Sequence, residues 1–283
     1  GVLRKSTRKD VLDIIRTSKE FGTYADGTDQ KKALLVFESE LDTVARNKAG
    51  ITPIKPLLEA INNIRSIKDM QTVYATTTGV SAPFAGIGAN ADLNNSKVNT
   101  AWVYPGGLGL QRDYYLDQDA KSKEIRGEYT NHVARMLKFV GYSEKSAIAA
   151  SERILELETQ LAEPRLDKVQ SRDIRNFNNP RSIKELNAMT PLIDWDKFTK
   201  DLGVSEPLES VLVMQPTYMA ALNTFLANTS IEDIKTLITW STIDNAAGYL
   251  TTEIETANWE FYSKTLNGSK AQREAEERAL GTV

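Results

Sequence analysis

Apolar residues recur at helical spacing along nearly the whole chain, and the one long interruption is a glycine-rich stretch from Gly79 to Arg112. That pattern confines the fold to amphipathic helices packed on one another, with β-structure gathered in the interruption. Thr7 to Phe21 reads as a helix with Val11, Ile14 and Ile15 on one face. Thr28 or Asp29 caps a second, with Leu34, Leu35, Phe37, Leu41 and Val44 apolar and Gly50 as its stop. Pro53 and Pro56 open a third, and Ser66 with Asp69 three residues on opens a fourth. Glu124 to Val140 carries the cleanest stripe: Ile125, Tyr129, Val133, Met136, Leu137 and Val140. Ser143 caps a long helix to Glu163 with Ile148, Ile154, Leu155, Leu157 and Leu161 apolar. Ser182 with Glu185 has the spacing of a capping box. Helices are also expected from Asp194, Pro216 and Ser230, the last running past Leu250. Connections are short, as between antiparallel neighbours.

Inside the interruption, Lys97 to Tyr104 is rich in β-branched and aromatic residues and is the best strand in the chain. Ala89 to Leu93 is its expected hairpin partner across Asn94-Asn95. Val211 to Met214 reads as a second, brief strand, and Asn176 to Pro180 as a turn cluster. The expected fold is mainly α: one multi-helix domain over residues 1–283 with a small β-hairpin near residues 89–104.

Composition then narrows the chemistry. The 283 residues include one His and no Cys, at a formal net charge of −3. Disulfides are excluded, and a zinc site would have to be built around His132 alone. The charge balance argues against nucleic acid as a main partner. No apolar run approaches the roughly 20 residues of a membrane span. The chain opens Gly1-Val2-Leu3 without Met, so it is read as processed or cut from something longer, and the lack of a signal peptide says nothing of compartment.

Few residues stand out as sites. His132 comes four residues after Glu128, which reads as a surface polar contact rather than a ligand. Gly106-Gly107-Leu108-Gly109 lacks the context of a phosphate loop and reads as a tight turn or a close backbone approach. Arg112-Asp113-Tyr114-Tyr115 is either a binding cluster or an aromatic pair packed beside an ion pair. Glu152, Glu156, Glu158 and Glu163 read as a solvated helix face rather than a metal cluster. Arg4, Lys5, Arg8 and Lys9 crowd the first helix, where one Arg can grip a carboxylate bidentately. Trp195, Trp240 and Trp259 read as packing residues.

Several of these segments resemble one family. Tyr104 to Leu116, YPGGLGLQRDYYL, is similar to the GGLGLP-x-RDYYL segment of the neprilysin family of zinc metallopeptidases. Arg172 to Phe198, RDIRNFNNPRSIKELNAMTPLIDWDKF, resembles the family's stretch of R-D, then Y-N, then E-L-x-x-x-x-P-x-x-x-W, with Phe177 in the usual Tyr place. Leu237 to Trp240, Phe261 to Gly268 and Arg278 to Val283 continue in the family's order, and Val2 to Arg4 and Lys31 to Ile64 fit its early helices. One residue is missing after Leu110, and the family's H-E-x-x-H zinc helix is absent.

The resemblance implies a fragment: the mostly helical N-terminal lid of a bacterial-type member, facing a thermolysin-like catalytic domain that this chain lacks. It implies peptide substrates enclosed between the two, zinc bound outside this chain, and a location outside the cytoplasm, whether periplasmic, secreted or membrane-anchored. No catalytic or metal-binding residue is expected here. Arg4 holds the family's Leu-Arg position, whose arginine binds a peptide carboxylate or backbone on the primed side. Its acidic neighbour would fall at Gly1, so half of that pocket is not represented. The isolated fragment is expected to be inactive. The alternative is a stand-alone helical binding or scaffold module without catalysis, which a reading frame running on to H-E-x-x-H would exclude.

Overall fold

The computed structural model describes residues 2–77 and 83–282, leaving out the side chains of residues 2–5 and 77. Gly79 of the glycine-rich stretch lies outside the described residues. In chain order the helices and strands begin with α1 (Val2–Phe21), α2 (Asp29–Leu41), α3 (Thr43–Ala49), α4 (Lys55–Asn62) and α5 (Ile67–Thr77). A hairpin comes next, β1 (Ala85–Ala91) and β2 (Asn99–Pro105), then α6 (Arg112–Leu116), α7 (Ala120–Phe139) and α8 (Glu144–Ala162). The chain continues through β3 (Pro180–Ser182), α9 (Ile183–Met189), α10 (Trp195–Asp201), β4 (Ser210–Val213), α11 (Pro216–Asn228) and α12 (Ile231–Ala246). It ends with α13 (Thr252–Trp259), a π-helical turn at Glu260–Leu266, and α14 (Ala275–Ala279). The fold is mainly α, as the periodicity predicts, and none of the described helices is long and apolar enough to cross a membrane.

Local chemistry accounts for most of the helix starts. Thr28, Ser143 and Asp194 cap α2, α8 and α10 by accepting a backbone N–H three residues on. Ser182 and Glu185 form the reciprocal capping box. Gly50 ends α3 at φ 60°, a conformation that favours glycine. The expected single helix from Thr28 to Gly50 is instead two. Asp42 ends α2 with its N–H on Glu38 O and starts α3 by accepting the Ala45 N–H, so a cap sits inside an unbroken apolar pattern. The helix from Ser230 stops at Ala246 rather than running past Leu250.

The hairpin is part of a four-stranded sheet in the order β1-β2-β4-β3. β1 and β2 are antiparallel with Ala91 opposite Asn99 and Ala85 opposite Pro105, so β1 starts four residues before the expected Ala89. The connection is not a two-residue turn at Asn94-Asn95. It spans 92–98, and the Asp92 carboxylate accepts the N–H groups of Asn94 and Asn95 at 2.7 and 3.1 Å. β4 adds parallel to β2, and β3 antiparallel to β4. β3 occupies the end of the expected turn cluster. Pro180 suits it there because β3 is an edge strand.

The chain groups into two compact units: Gly1–Pro53 with Ala247–Val283, and Ile54–Ala246. Neither crossing falls in a polar linker, so the sequence carries no mark of this grouping.

In the first unit, Leu12, Phe37 and Ala279 form the core, with Ile15, Leu41 and Leu280 packed against them. The buried face of α1 therefore runs through Leu12 and Ile15, while Ile14 is 56% exposed. Arg46 is the polar anchor, with its side chain 9% exposed. Its guanidinium donates to the carbonyls of Leu250, Glu40 and Gly248 at 2.8, 2.9 and 2.7 Å and to Glu255 Oε2 at 3.1 Å. Glu255 is gripped in turn by Arg278 at 2.7 Å.

In the second unit, the expected stripe of α7 is buried through Ile125, Tyr129, Val133, Met136 and Leu137. It packs with Ile154, Leu157 and Leu161 of α8 and Leu237, Trp240 and Ile243 of α12. Ile148 of α8, expected in that stripe, is 47% exposed. Trp195 and Trp240 are buried, as packing residues should be. The sheet is held at its first strand by two buried hydroxyls. Tyr74 donates to Ala85 O and Tyr218 to Phe84 O, both at 2.5 Å.

Arg46→Ala removes the donors of three carbonyls and one buried carboxylate contact. The expected loss is about 3 kcal/mol of stability, read from urea unfolding, with Arg46→Lys recovering less than half because an ammonium cannot fork. A parental midpoint for Arg46→Ala would show that these carbonyls are satisfied without it.

Candidate functional site

The segment Gly106 to Leu116, which carries the clearest motif, is built around a buried carboxylate. Glu158 projects from α8 at the spacing of its apolar stripe, between Ile154 and Leu161, and is 2% exposed. Its Oε2 accepts the Tyr129 hydroxyl at 2.5 Å and the Tyr115 hydroxyl at 2.9 Å, and its Oε1 accepts the Gly109 N–H at 3.2 Å. Each tyrosine oxygen is itself held. Tyr129 accepts Trp240 Nε1–H at 3.0 Å, and Tyr115 accepts the Leu110 N–H at 2.9 Å. The Tyr129 ring stands edge-on to Tyr115 and to Trp240, with centroids 6.4 and 5.8 Å apart. Glu158 thus joins the glycine-rich loop and α6 to α7, α8 and α12.

Gly109 shows why the loop needs a glycine. A Cβ there would lie 1.9 Å from the Tyr129 hydroxyl oxygen. The requirement is close approach, not an unusual φ. The expected solvated face therefore holds for Glu152, Glu156 and Glu163, which lie outside the buried set, but not for Glu158. Arg153 pairs with Asp233 at 2.9 Å and Glu156 at 2.8 Å.

Arg112-Asp113-Tyr114-Tyr115 is partly the packed arrangement and partly a surface one. Tyr115 is buried, while Arg112 and Asp113 pair loosely at 3.8 Å beside an open cleft. His132 is not the expected surface contact. It is 5% exposed, edge-on to Trp240 with centroids 5.7 Å apart, and its Nε2 lies 3.8 Å from Asp244 Oδ1. Among the described residues no three His, Asp or Glu side chains converge to hold a metal. Arg4 lies on α1, with its side chain outside the described residues.

The electrostatics of the cluster result from its burial. Desolvation pushes the Glu158 carboxyl up to about 7, against its three donors, which favour the charged form. Burial, then the neighbouring carboxylate, pushes the Tyr115 hydroxyl well above its usual range. A cluster this closed receives no substrate; its chemistry is to lock the loop. Its signal in the sequence is a carboxylate on an apolar stripe. Asp244 has no comparable signal, since its meeting with His132 depends on how α12 crosses α7.

Two outcomes test this lock. A folded-state value near 7 against an ordinary 4.5 means the folded chain holds the extra proton between those values. The contribution of Glu158 to stability therefore falls as pH rises from 4.5 to about 7, on the order of 3 kcal/mol. Glu158→Gln removes that slope, and urea unfolding at about pH 5 and pH 8 reads it; an unchanged slope would refute the assignment. Gly109→Ala drives a methyl into Tyr129 and lowers stability by about 1–3 kcal/mol, measured by thermal unfolding.

The profile of peptidase family M13 matches residues 1–283. Endothelin-converting enzyme 1 of Cavia porcellus is 24% identical over 276 residues, covering 91% of this chain and 35% of that protein. The zinc metalloprotease Zmp1 of Mycobacterium tuberculosis, solved in complex with an inhibitor, superposes with a TM-score of 0.90 at 25% identity over 98% of this chain and 42% of its own. The same protein in an open state gives a TM-score of 0.91 at 26% identity over 99% of this chain and 44% of its own. The chain spans about a third of the length of the curated endothelin-converting enzymes it matches. The match of residues 1–283 and the shared fold place the chain in peptidase family M13, the neprilysin family, as a member of its N-terminal domain.

Proposed function

We propose that this chain is the substrate-enclosing helical part of a neprilysin-like zinc metalloendopeptidase that hydrolyses peptides. The observation that carries this reading is the end-to-end likeness to Zmp1, a zinc metalloprotease, of which the chain covers 42% at a TM-score of 0.90. The residues present here do not fit a catalytic zinc. The chain has one His and no Cys, and that His is packed against Trp240. The zinc and its H-E-x-x-H helix are therefore assigned to polypeptide beyond this chain. The role left to these residues is to bound the space that a peptide enters. Arg4 binds a peptide carboxylate or backbone there. The working compartment is outside the cytoplasm, as the family resemblance implies, and a bacterial source is in keeping with Zmp1 of Mycobacterium tuberculosis.

Purified residues 1–283 are expected to hold no stoichiometric zinc and to cleave no peptide. The same residues in a chain that includes an H-E-x-x-H segment are expected to cleave short peptides in a chelator-sensitive way and to spare folded proteins. Chelator-sensitive cleavage by residues 1–283 alone, or none by the longer chain, would overturn the reading. In the longer chain, Arg4→Met should raise KM about tenfold for peptides with a free C-terminal carboxylate and leave amidated ones nearly unchanged.

A further inference from the structure

Beside the buried cluster, between α6 and the segment after α8, lies an open cleft of about 520 Å³. Four cations, Arg112, Arg165, Lys168 and Arg172, line it against one carboxylate, Asp113. This is a strong local surplus on a chain whose formal charge is −3. The carboxylate is already engaged, by Lys168 at 2.8 Å and loosely by Arg112 at 3.8 Å. Two of the cations touch the end of α8: Arg165 Nε donates to Leu161 O at 3.0 Å, and Arg112 Nη2 reaches Glu163 O at 3.5 Å. Such helix-end contacts use one of the five N–H donors that each guanidinium carries. Arg112 Nε and Arg165 Nη2 are buried and meet no acceptor. Buried donors without partners are rare enough to need a reason. Arg165 is also held in place, with its guanidinium 5.0 Å from the centroid of the Tyr218 ring. Leu108 and Leu166 add an apolar wall, and Gln215, also on the lining, accepts the Leu166 N–H at 2.9 Å.

We propose that this cleft is a subsite for a carboxylate of a bound peptide. A planar carboxylate matches the fork of a guanidinium bidentately. The volume admits one or two residues, and the leucines accept the hydrocarbon stem of an acidic side chain. The peptide nature of the ligand rests on the peptidase reading, while the preference for negative charge rests on the cleft alone.

The test is calorimetric titration of residues 1–283 at low salt with a blocked hexapeptide carrying glutamates, its glutamine counterpart, and the glutamine peptide with a free C-terminus. The glutamate peptide is expected to bind about tenfold more tightly than the blocked glutamine one. A gain on freeing the C-terminus identifies the terminal carboxylate as a second source of the same group. Lys168→Gln combined with Arg172→Gln, both on exposed side chains, removes two of the four cations and is expected to weaken the preference several-fold, leaving the share held by Arg112 and Arg165. Asp113→Asn removes the competing carboxylate and is expected to tighten binding several-fold, a gain that misfolding does not mimic. Equal binding of the two blocked peptides, or a preference undiminished by the double substitution, would overturn the proposal. Displacement by inorganic phosphate at lower concentration than the glutamate peptide would overturn the carboxylate assignment. A longer chain that cleaves peptides without acidic preference would defeat the cleft and leave the peptidase reading standing. Acidic-peptide binding here with no peptidase in the longer chain would do the reverse.

Discussion

A carboxylate taken out of water must be surrounded by donors or give up its charge, and at Glu158 that requirement organises the residues around it. Two hydroxyls and a backbone N–H converge on it, and each hydroxyl needs its own donor, supplied by Trp240 and by the backbone of Leu110. The demand passes outward from one atom pair to four elements. It also explains the composition of the loop. Glycine stands at 109 because Tyr129 has to reach past it, and Tyr115 stands on α6 because a hydroxyl is needed where a phenylalanine would only fill space. A hydrophobic residue at 158 would pack, but nothing would then specify where the loop lies.

The first unit solves a similar problem with the opposite charge. Arg46 is buried among carbonyls that the ends of helical segments leave without partners, and one guanidinium satisfies three of them. Both anchors tie down short segments: a glycine-rich loop in one case, the turn of residues 247–250 and α13 in the other.

Most of the helical architecture is legible in the sequence, because its signals are local. Ser143, Thr28 and the Ser182–Glu185 box act within one turn, and the stripe of α7 is complete within its own helix. The strand at Lys97 to Tyr104 is legible from its β-branched and aromatic content. What escapes depends on neighbours distant in sequence. β3 is a strand because β4 lies beside it, not because Pro180-Arg181-Ser182 favours extension. His132 is buried because α12 brings Trp240 over it. Glu158 reads wrongly as a surface residue because carboxylates on helices usually face water, although its stripe position argues otherwise. Ile14 faces outward because the partners of α1 cover the face of Leu12 and Ile15, three residues apart, from which Ile14 lies about 200° away by its two-residue step from Leu12. Arg4 is reached through family resemblance alone; neither spacing nor charge singles it out from Lys5, Arg8 or Lys9.

Arg46 and the Leu12–Phe37–Ala279 core also bear on how this chain comes into being. A ribosome releases residues 1–53 well before residues 247–283, yet the first group has no finished core until the second arrives. Ala279 and Leu280 meet partners more than 230 residues upstream. The intervening Ile54–Ala246 unit holds its own sheet and helices and can condense in the meantime. The opening helices must therefore wait with apolar side chains such as Phe37 uncovered, through the synthesis of the whole inserted unit. Closure of so long a loop is a late event.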